Sequence, residues 1–392
     1  MLDLLLLLTW EVLRSIVNNR NLIKLSLDSG IIQNITILSG LRNLEHLSLV
    51  NMDIDFMYLV YLKNVPLLSL NLSNNKIDDK FNSISEYPLM NTLTSLNLSR
   101  NPVTGAVMPT ILKIQNIKYL DISHTRIHNH EIQCVDSMPN LEDLNVANLC
   151  DATIIPTFNG SGLKSISLSF GLLNSNILHS NTNLTCLKIC KPDDLEHQDK
   201  FRIAMHDWDV KYDCLVYRPE MLPATITRLC ISNCNVNDLS GLKNLVHLNV
   251  LDLSGNLIQN DTLSVLSVFK KLKQLSLHHN SITSHGIKHV LQLPELSCLD
   301  LSFNDIGNEG VKHLSQLESI GTLKMCGCNI TDISCLLRLK KLRLVDVKEN
   351  NIPNRLVSKF KKLKIDIQFT KHNALYSILC NMKNNLFNKN VL

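Results

Sequence analysis

Residues 296 to 306 read Leu-Ser-Cys-Leu-Asp-Leu-Ser-Phe-Asn-Asp-Ile, and this stretch predicts the fold. Leucine or isoleucine occupies its first, fourth, sixth and eleventh positions, and asparagine occupies the ninth. The same spacing recurs in residues 67–77 and 248–258. Leu299 and Leu301 are two residues apart, so they face the same side of a short strand, and Ile306 returns to that side after a turn. Each copy therefore has one apolar side that it cannot bury alone.

The eleven-residue pattern can be placed fourteen times along the chain, at steps of 21 to 26 residues with one exception. Its first positions are Leu22, Leu44, Leu67, Leu93, Ile117, Leu141, Leu163, Leu184, Ile226, Leu248, Leu272, Leu296, Ile320 and Leu342. The exception is a gap of 42 residues after Leu184, and Met205, Trp208, Val210 and Leu215 fit the pattern inside it. We therefore predict a fifteenth, degenerate repeat over 205–222, with a looped excursion at 191–200 as the alternative.

This pattern resembles that of leucine-rich repeat proteins, and the resemblance covers residues 22–362. It implies an α/β solenoid of horseshoe shape, with one short parallel strand per repeat on the concave face and turns or short helices on the convex face. Steps of 24 residues, as after Ile306, leave room for a helical turn or two and resemble ribonuclease-inhibitor-like repeats. Steps of 22, as after Ile330, permit only tight turns and resemble bacterial internalins.

The ninth position is predicted to hold an internal ladder of hydrogen bonds. An inward asparagine there can bond the backbone of adjacent coils, whose polar groups would otherwise be unpaired. Six repeats supply it, namely Asn75, Asn101, Asn256, Asn280, Asn304 and Asn350. Other small donors stand at Cys234, Cys328 and Thr125. The ladder is expected to be interrupted at Met52, Leu149, Gly171, Pro192 and Asp213.

The segments on either side of the repeats are predicted to be caps. With 45% hydrophobic and only 5% aromatic residues, the chain suits one continuous aliphatic stack. Residues 1–21 are predicted to form a capping helix, because Asp3 stands where a signal peptide would carry a basic residue. Residues 363–392 are predicted to form a basic cap or tail, since residues 355–392 carry eight basic side chains against Asp366. A basic amphipathic segment that contacts an acidic membrane or nucleic acid, disorder, and contact with a partner are the alternatives.

No catalytic, metal-binding or cofactor-binding motif is recognisable. His128 and His130 lie in one turn segment with no second cluster at ligand spacing, and the acidic residues between 193 and 209 lack calcium-loop spacing. Several of the twelve cysteines lie on or beside predicted strands rather than in terminal pairs, which favours small buried thiols in a reducing compartment. We expect an intracellular, cytoplasmic protein with no stretch that spans a membrane.

Binding residues are expected at the third, fifth, seventh and eighth positions, which point outward from the core. Large aromatic and basic side chains there are candidate anchors for a protein partner. They are Tyr119, His124, Phe170, Lys188, Lys191, Lys211, Tyr212, Arg228, His278, His279 and Phe303. Asp252, Asp300 and Asp346 at fifth positions favour a partner with basic elements.

The sequence therefore indicates a non-enzymatic protein-interaction scaffold that uses no cofactor and no small-molecule substrate. A ubiquitin-ligase adaptor is one alternative, because the stretches 234–238 and 328–332 resemble repeats of F-box substrate receptors. No F-box is recognisable, so an adaptor would need a separate docking partner. A secreted or surface recognition ectodomain is the other alternative.

Overall fold

The computed structural model describes residues 21–30, 36–149, 162–169, 183–190 and 222–370. The chain divides into two compact units, residues 1–201 and 202–392. Residues 1–20 of the predicted cap at 1–21, residues 205–221 of the predicted repeat at 205–222 and residues 371–392 of the predicted tail at 363–392 lie outside the described residues. Nothing in the structure therefore tests those three predictions.

In the first unit, short strands pair with their sequence neighbours in parallel. They are β1 (Lys24–Asp28), β2 (His46–Val50), β3 (Ser69–Asn71), β4 (Ser95–Asn97), β5 (Tyr119–Asp121), β6 (Asp143–Asn145), β7 (Ser165–Ser169) and β8 (Cys186–Cys190). The connections contain short helices. These are α1 (Leu89–Thr92), α2 (Met108–Ile111) and 3₁₀ helices at Thr36–Gly40, Phe56–Leu62, Asp79–Ile84, Gly105–Val107 and Asn129–Ser137.

The second unit repeats the arrangement with longer α-helices. Its parallel strands are β9 (Arg228–Ser232), β10 (Val250–Asp252), β11 (Gln274–Ser276), β12 (Cys298–Asp300), β13 (Thr322–Lys324), β14 (Leu344–Asp346) and β15 (Asp366–Gln368). Its helices are α3 (Ser284–Val290), α4 (Gly307–Leu314), α5 (Asn354–Lys362) and 3₁₀ helices at Ser240–Leu242, Asp261–Val268 and Ser334–Arg338. In the described part of the chain, no helix is long and apolar enough to cross a membrane.

The predicted fold class, an α/β solenoid with one short parallel strand per repeat, is confirmed within each unit. All fourteen predicted copies contain a strand that begins at the third position of the pattern. β15 is not predicted, because Lys364 stands at its first position and only Ile367 matches the pattern closely. The core lies behind the strands, where side chains such as Leu251 and Leu299 are fully buried.

The ninth-position ladder is present as predicted. The Asn304 side-chain oxygen accepts from the Ile282 backbone N–H at 3.0 Å, and its amide donates to the carbonyls of Leu277 and Leu301 at 2.9 and 3.0 Å. Cys328 replaces asparagine by donating its thiol to the Leu301 carbonyl at 3.2 Å. Buried backbone groups that no strand or helix pairs are satisfied in this way.

The step length does not always decide the connection. α5 has nine residues although only 22 separate Leu342 from Lys364. It fits because Leu363 alone lies between the last residue of α5 and the first position of the next repeat. In the 24-residue step that contains α4, by contrast, five residues separate Leu314 from Ile320.

Candidate binding surface

The chain turns away from each strand at the eighth position of the repeat, where its backbone is left-handed. φ lies between +52° and +65° at every described eighth position, which are Ser29, Asn51, Asn74, Arg100, His124, Asn148, Asn233, Gly255, His279, Phe303, Gly327 and Glu349. Glycine and asparagine adopt this conformation readily, whereas other side chains cost about 1 to 2 kcal/mol because Cβ crowds the following carbonyl. Bulky rings at this position are therefore exceptional.

Two of the bulky rings stack on each other in the second unit. The ring centroids of His279 and Phe303 are 4.2 Å apart and their planes differ by 2°. His278 lies beside them, 4.5 Å from the His279 ring. We call His278, His279 and Phe303 the aromatic cluster. Phe303 remains 38% exposed, so the cluster offers an apolar surface to solvent.

Gly327 supports the other side of the stack. A Cβ built on Gly327 would lie 2.9 Å from Cδ1 of Phe303, closer than real Cβ contacts. The Phe303 ring therefore leans over the bare backbone of the next repeat. The absence of a side chain at residue 327 is what allows the ring to lie there.

The surroundings of His279 disfavour positive charge on its ring. Burial lowers the pKa of His279 below its ordinary value, and the neighbouring His278 lowers it further, while Asp300 and Glu349 oppose the shift. Nδ1 of His278 is buried and has no hydrogen-bond partner among the described residues. His279 is consequently a neutral ring at neutral pH, suited to apolar and stacking contacts.

The acidic residues near the cluster contact backbone N–H groups and lysines of their own or neighbouring repeats. Asp300 accepts the Ser302 backbone N–H at 3.0 Å and lies 3.7 Å from the Lys324 ammonium. Asp346 is 3.4 Å from the ammonium of Lys348. Asp252 likewise accepts the backbone N–H of the residue two positions on, at 3.0 Å. The lysines partly offset the negative charge of Asp300 and Asp346, whereas Asp252 is held by a backbone hydrogen bond alone in these contacts.

Two thiols lie in the repeat that follows Phe303. Burial raises the pKa of Cys326 to about 11, helped by Asp346, and burial raises the pKa of Cys328 to about 12. Both are therefore protonated and weakly nucleophilic at neutral pH. In the described part of the chain, no group of three His, Cys, Asp or Glu side chains could hold a metal ion.

The other predicted anchors among the described residues each have their own surroundings. Tyr119 is half-buried in β5, where its hydroxyl donates to Asp121 at 3.3 Å, and burial and Asp121 raise the pKa of its phenol. His124 contacts the Asn148 amide at 3.2 Å. Lys188 and Arg228 are exposed on their strands. Four predicted anchors lie outside the described residues, namely Phe170, Lys191, Lys211 and Tyr212.

Sequence reasoning missed the contacts between successive eighth positions. In the first unit these are polar, since the Asn51 amide donates to Ser29 at 3.1 Å and the Asn74 amide donates to Asn51 at 3.0 Å. In the second unit the successive eighth positions instead hold two stacked rings, His279 and Phe303, followed by Gly327. The signal was in the sequence, because the eighth positions 279, 303 and 327 read His, Phe and Gly in order.

Comparisons with known proteins agree with this architecture. The family model described as Leucine Rich repeat matches residues 63–80, 90–106 and 293–315. A crystal structure of an internalin from Listeria monocytogenes has a TM-score of 0.51 at 19% identity, covering 93% of this chain and 94% of that chain. A Leptospira interrogans leucine-rich repeat protein reaches a TM-score of 0.46 at 19% identity, covering 92% of each chain.

A chain of the mouse RP105/MD-1 complex is similar with a TM-score of 0.46 and 17% identity, covering 88% of this chain and 54% of that chain. No curated protein matches the sequence. The repeat spacing, the parallel strand of each repeat and the family model agree, and this chain is a leucine-rich repeat protein.

Proposed function

We propose that the chain is a non-enzymatic protein-interaction scaffold whose second unit binds a protein partner at the aromatic cluster. The leucine-rich repeat fold suits an interaction scaffold, because its strands present a row of outward side chains on a preformed surface. The observation that carries the proposal is made at Phe303. Its backbone is left-handed, and its bulky side chain is 38% exposed.

Stability alone does not favour phenylalanine at position 303. The left-handed backbone costs about 1 to 2 kcal/mol relative to glycine, and stacking on His279 returns only about 0.5 to 1.5 kcal/mol. Asparagine, which several other repeats carry at this position, would avoid most of the cost. A strained, exposed ring is a feature that binding explains, since strain of this kind concentrates at functional sites.

The surroundings of the cluster suit a docked protein surface. Ser276 and Thr322 are small, half-buried side chains on neighbouring strands, so they leave room for a partner to approach. Aromatic anchors surrounded by small polar contacts are typical of interface centres. Because Asp300 and Asp346 lie beside lysines of this chain, we expect apolar contact with the rings to contribute more affinity than charge does.

The test compares Phe303→Asn with a matched control, Arg100→Asn, which changes an exposed eighth position of the first unit with φ of +57°. Each purified chain is cross-linked in cell lysate, captured proteins are identified by mass spectrometry, and direct affinity is then measured with the purified partner. We expect Phe303→Asn to weaken binding about 30-fold, the size of a hot-spot loss, and the control to bind like wild type. A partner that binds both variants equally would refute the role of the cluster.

We further propose an intracellular location for this protein. Eight described cysteines are free thiols, which suits a reducing compartment. Cell fractionation of the tagged chain tests this proposal, and recovery in the culture medium would contradict it. The identity of the captured partner then distinguishes a general scaffold from a ligase adaptor.

A further inference from the structure

The outward face of α5 is basic. Arg355, Lys359 and Lys362 follow the spacing of one helical face and are all exposed. The opposite face of α5 packs into the core through Leu356, Val357 and Phe360. The helix is thus fixed by its apolar side, and its charges are held outward.

Two further lysines extend this face. Lys361 and Lys364 are also exposed, and we call Arg355, Lys359, Lys361, Lys362 and Lys364 the terminal basic patch. None of these five forms an ion pair with a described acidic residue. Hydrogen bonds from Ser334 lower the pKa of Asp332, and the charge of Arg355 adds a smaller part of that shift.

The preceding repeat adds positive charge at the same place. The Asp366 backbone N–H donates to the Arg343 carbonyl at 2.7 Å, which sets Arg343 next to the residues that follow Lys364. Lys340 and Lys341 lie in the turn that leads into β14, and both are exposed. Positive charge of this density attracts an anionic surface and not a neutral one.

An exposed leucine distinguishes between anionic surfaces. Leu363 is 56% exposed and stands between Lys362 and Lys364. A nucleic acid would offer it no apolar contact at the phosphate backbone, and the part-exposed ring of Phe369 is not free to stack on bases, because the Lys361 ammonium lies over it at 5.4 Å from the ring centroid. A bilayer offers both anionic headgroups for the lysines and an apolar boundary for the leucine.

We propose that the terminal basic patch docks the second unit onto the surface of an anionic phospholipid bilayer, with Leu363 entering the headgroup region. The contact is peripheral and reversible, because α5 keeps its apolar face in the protein core. It is also salt-sensitive, since its main contribution comes from lysine and arginine at a charged surface. This proposal is independent of partner binding at the aromatic cluster.

The test is cosedimentation of the full chain with vesicles of phosphatidylcholine alone or with one third phosphatidylserine. We expect binding to the anionic vesicles only. The triple variant Arg355→Gln, Lys359→Gln, Lys362→Gln should bind roughly 100-fold more weakly, at about fivefold per basic side chain. The matched control Lys270→Gln, Lys271→Gln, Lys288→Gln removes the same charge from exposed positions elsewhere and should bind like wild type. Leu363→Gln should weaken binding without changing its salt dependence.

Circular dichroism melts confirm that each variant is folded. Equal losses in both triple variants would show a response to net charge alone and overturn the proposal. Absence of vesicle binding, or tighter binding to a 20-base-pair duplex competed in the same assay, would also overturn it. The capture experiment with Phe303→Asn tests a different surface, so either proposal can fail without the other.

Discussion

At the scale of single residues, the repeat separates side chains that build the fold from side chains that the fold merely displays. Asn304 is buried and fully bonded to the backbone, and its neighbour Phe303 is exposed in a strained conformation. One residue of chain thus separates a structural role from a surface role. His279 also has a surface role, and its pKa depends on the residues around it.

We expect His279 to titrate below pH 6.5, because burial and the neighbouring His278 both lower its pKa. Between the two pKa values the unfolded chain binds more protons than the folded chain. The contribution of His279 to the free energy of unfolding is therefore fully present above pH 6.5 and is lost as pH falls through the lowered pKa. Substituting His278→Gln should raise the pKa of His279 part of the way, because burial remains.

NMR titration of the His279 ring measures this pKa. His247→Gln is the control, since His247 is exposed in another turn, and it should leave the His279 titration unchanged. A His279 pKa at or above 6.5 in the wild-type chain would show that Asp300 and Glu349 outweigh burial.

At the scale of elements, short turns set the direction of side chains across repeats. Gly327 and Gly307 both have left-handed backbones, with φ of +58° and +56°. They differ in their neighbours, because a Cβ on Gly307 would meet nothing within 4 Å whereas one on Gly327 would meet the Phe303 ring. The pair separates the cost of the backbone conformation from the cost of a steric clash.

Gly307→Ala should lower the free energy of unfolding by about 1 to 2 kcal/mol, the cost of a left-handed alanine. Gly327→Ala should cost more, because the added methyl group also displaces the Phe303 ring from its stack. Urea denaturation measures both values, and loss of partner binding should accompany only Gly327→Ala. Equal losses of stability in the two variants would mean that the ring moves aside freely.

At the scale of the whole molecule, stability should be local. Each repeat contacts its immediate neighbours, so a solenoid unfolds in segments and not as one cooperative unit. The asparagine ladder provides a way to weaken one segment, because each of its six asparagine side chains bonds its own repeat and the one before it.

We expect Asn304→Ala to cost about 2 to 4 kcal/mol, since it leaves buried backbone groups without partners. The loss should be concentrated in β11 to β13 and be much smaller at β15 when amide hydrogen exchange is followed by mass spectrometry. Asn351→Ala is the control, because Asn351 is exposed and follows the ladder residue Asn350 without belonging to the ladder. This variant should leave the free energy of unfolding and the exchange pattern unchanged. Uniform loss of protection across the second unit would argue against local unfolding.

Sequence periodicity predicted the strands well because the buried leucines are spaced by the backbone itself. Fourteen strands begin where the pattern places them, and β15 was missed because Lys364 and Phe369 occupy the first and sixth positions of that pattern. The binding surface was harder to predict. His278, His279 and Phe303 were each identified as outward, yet their stacking depends on Gly327, a contact between repeats that no pattern within one repeat contains.

The left-handed eighth position has a consequence for protein engineering. A combinatorial library built on this chain would gain little by randomising residues 51, 74, 100 or 349, since most side chains there would strain the turn. Diversity belongs at the third and fifth positions, where extended backbone accepts any side chain, with glycine or asparagine held constant at the eighth. Where a designer needs an aromatic at the eighth position, the next repeat should carry glycine there, as residue 327 does beneath residue 303.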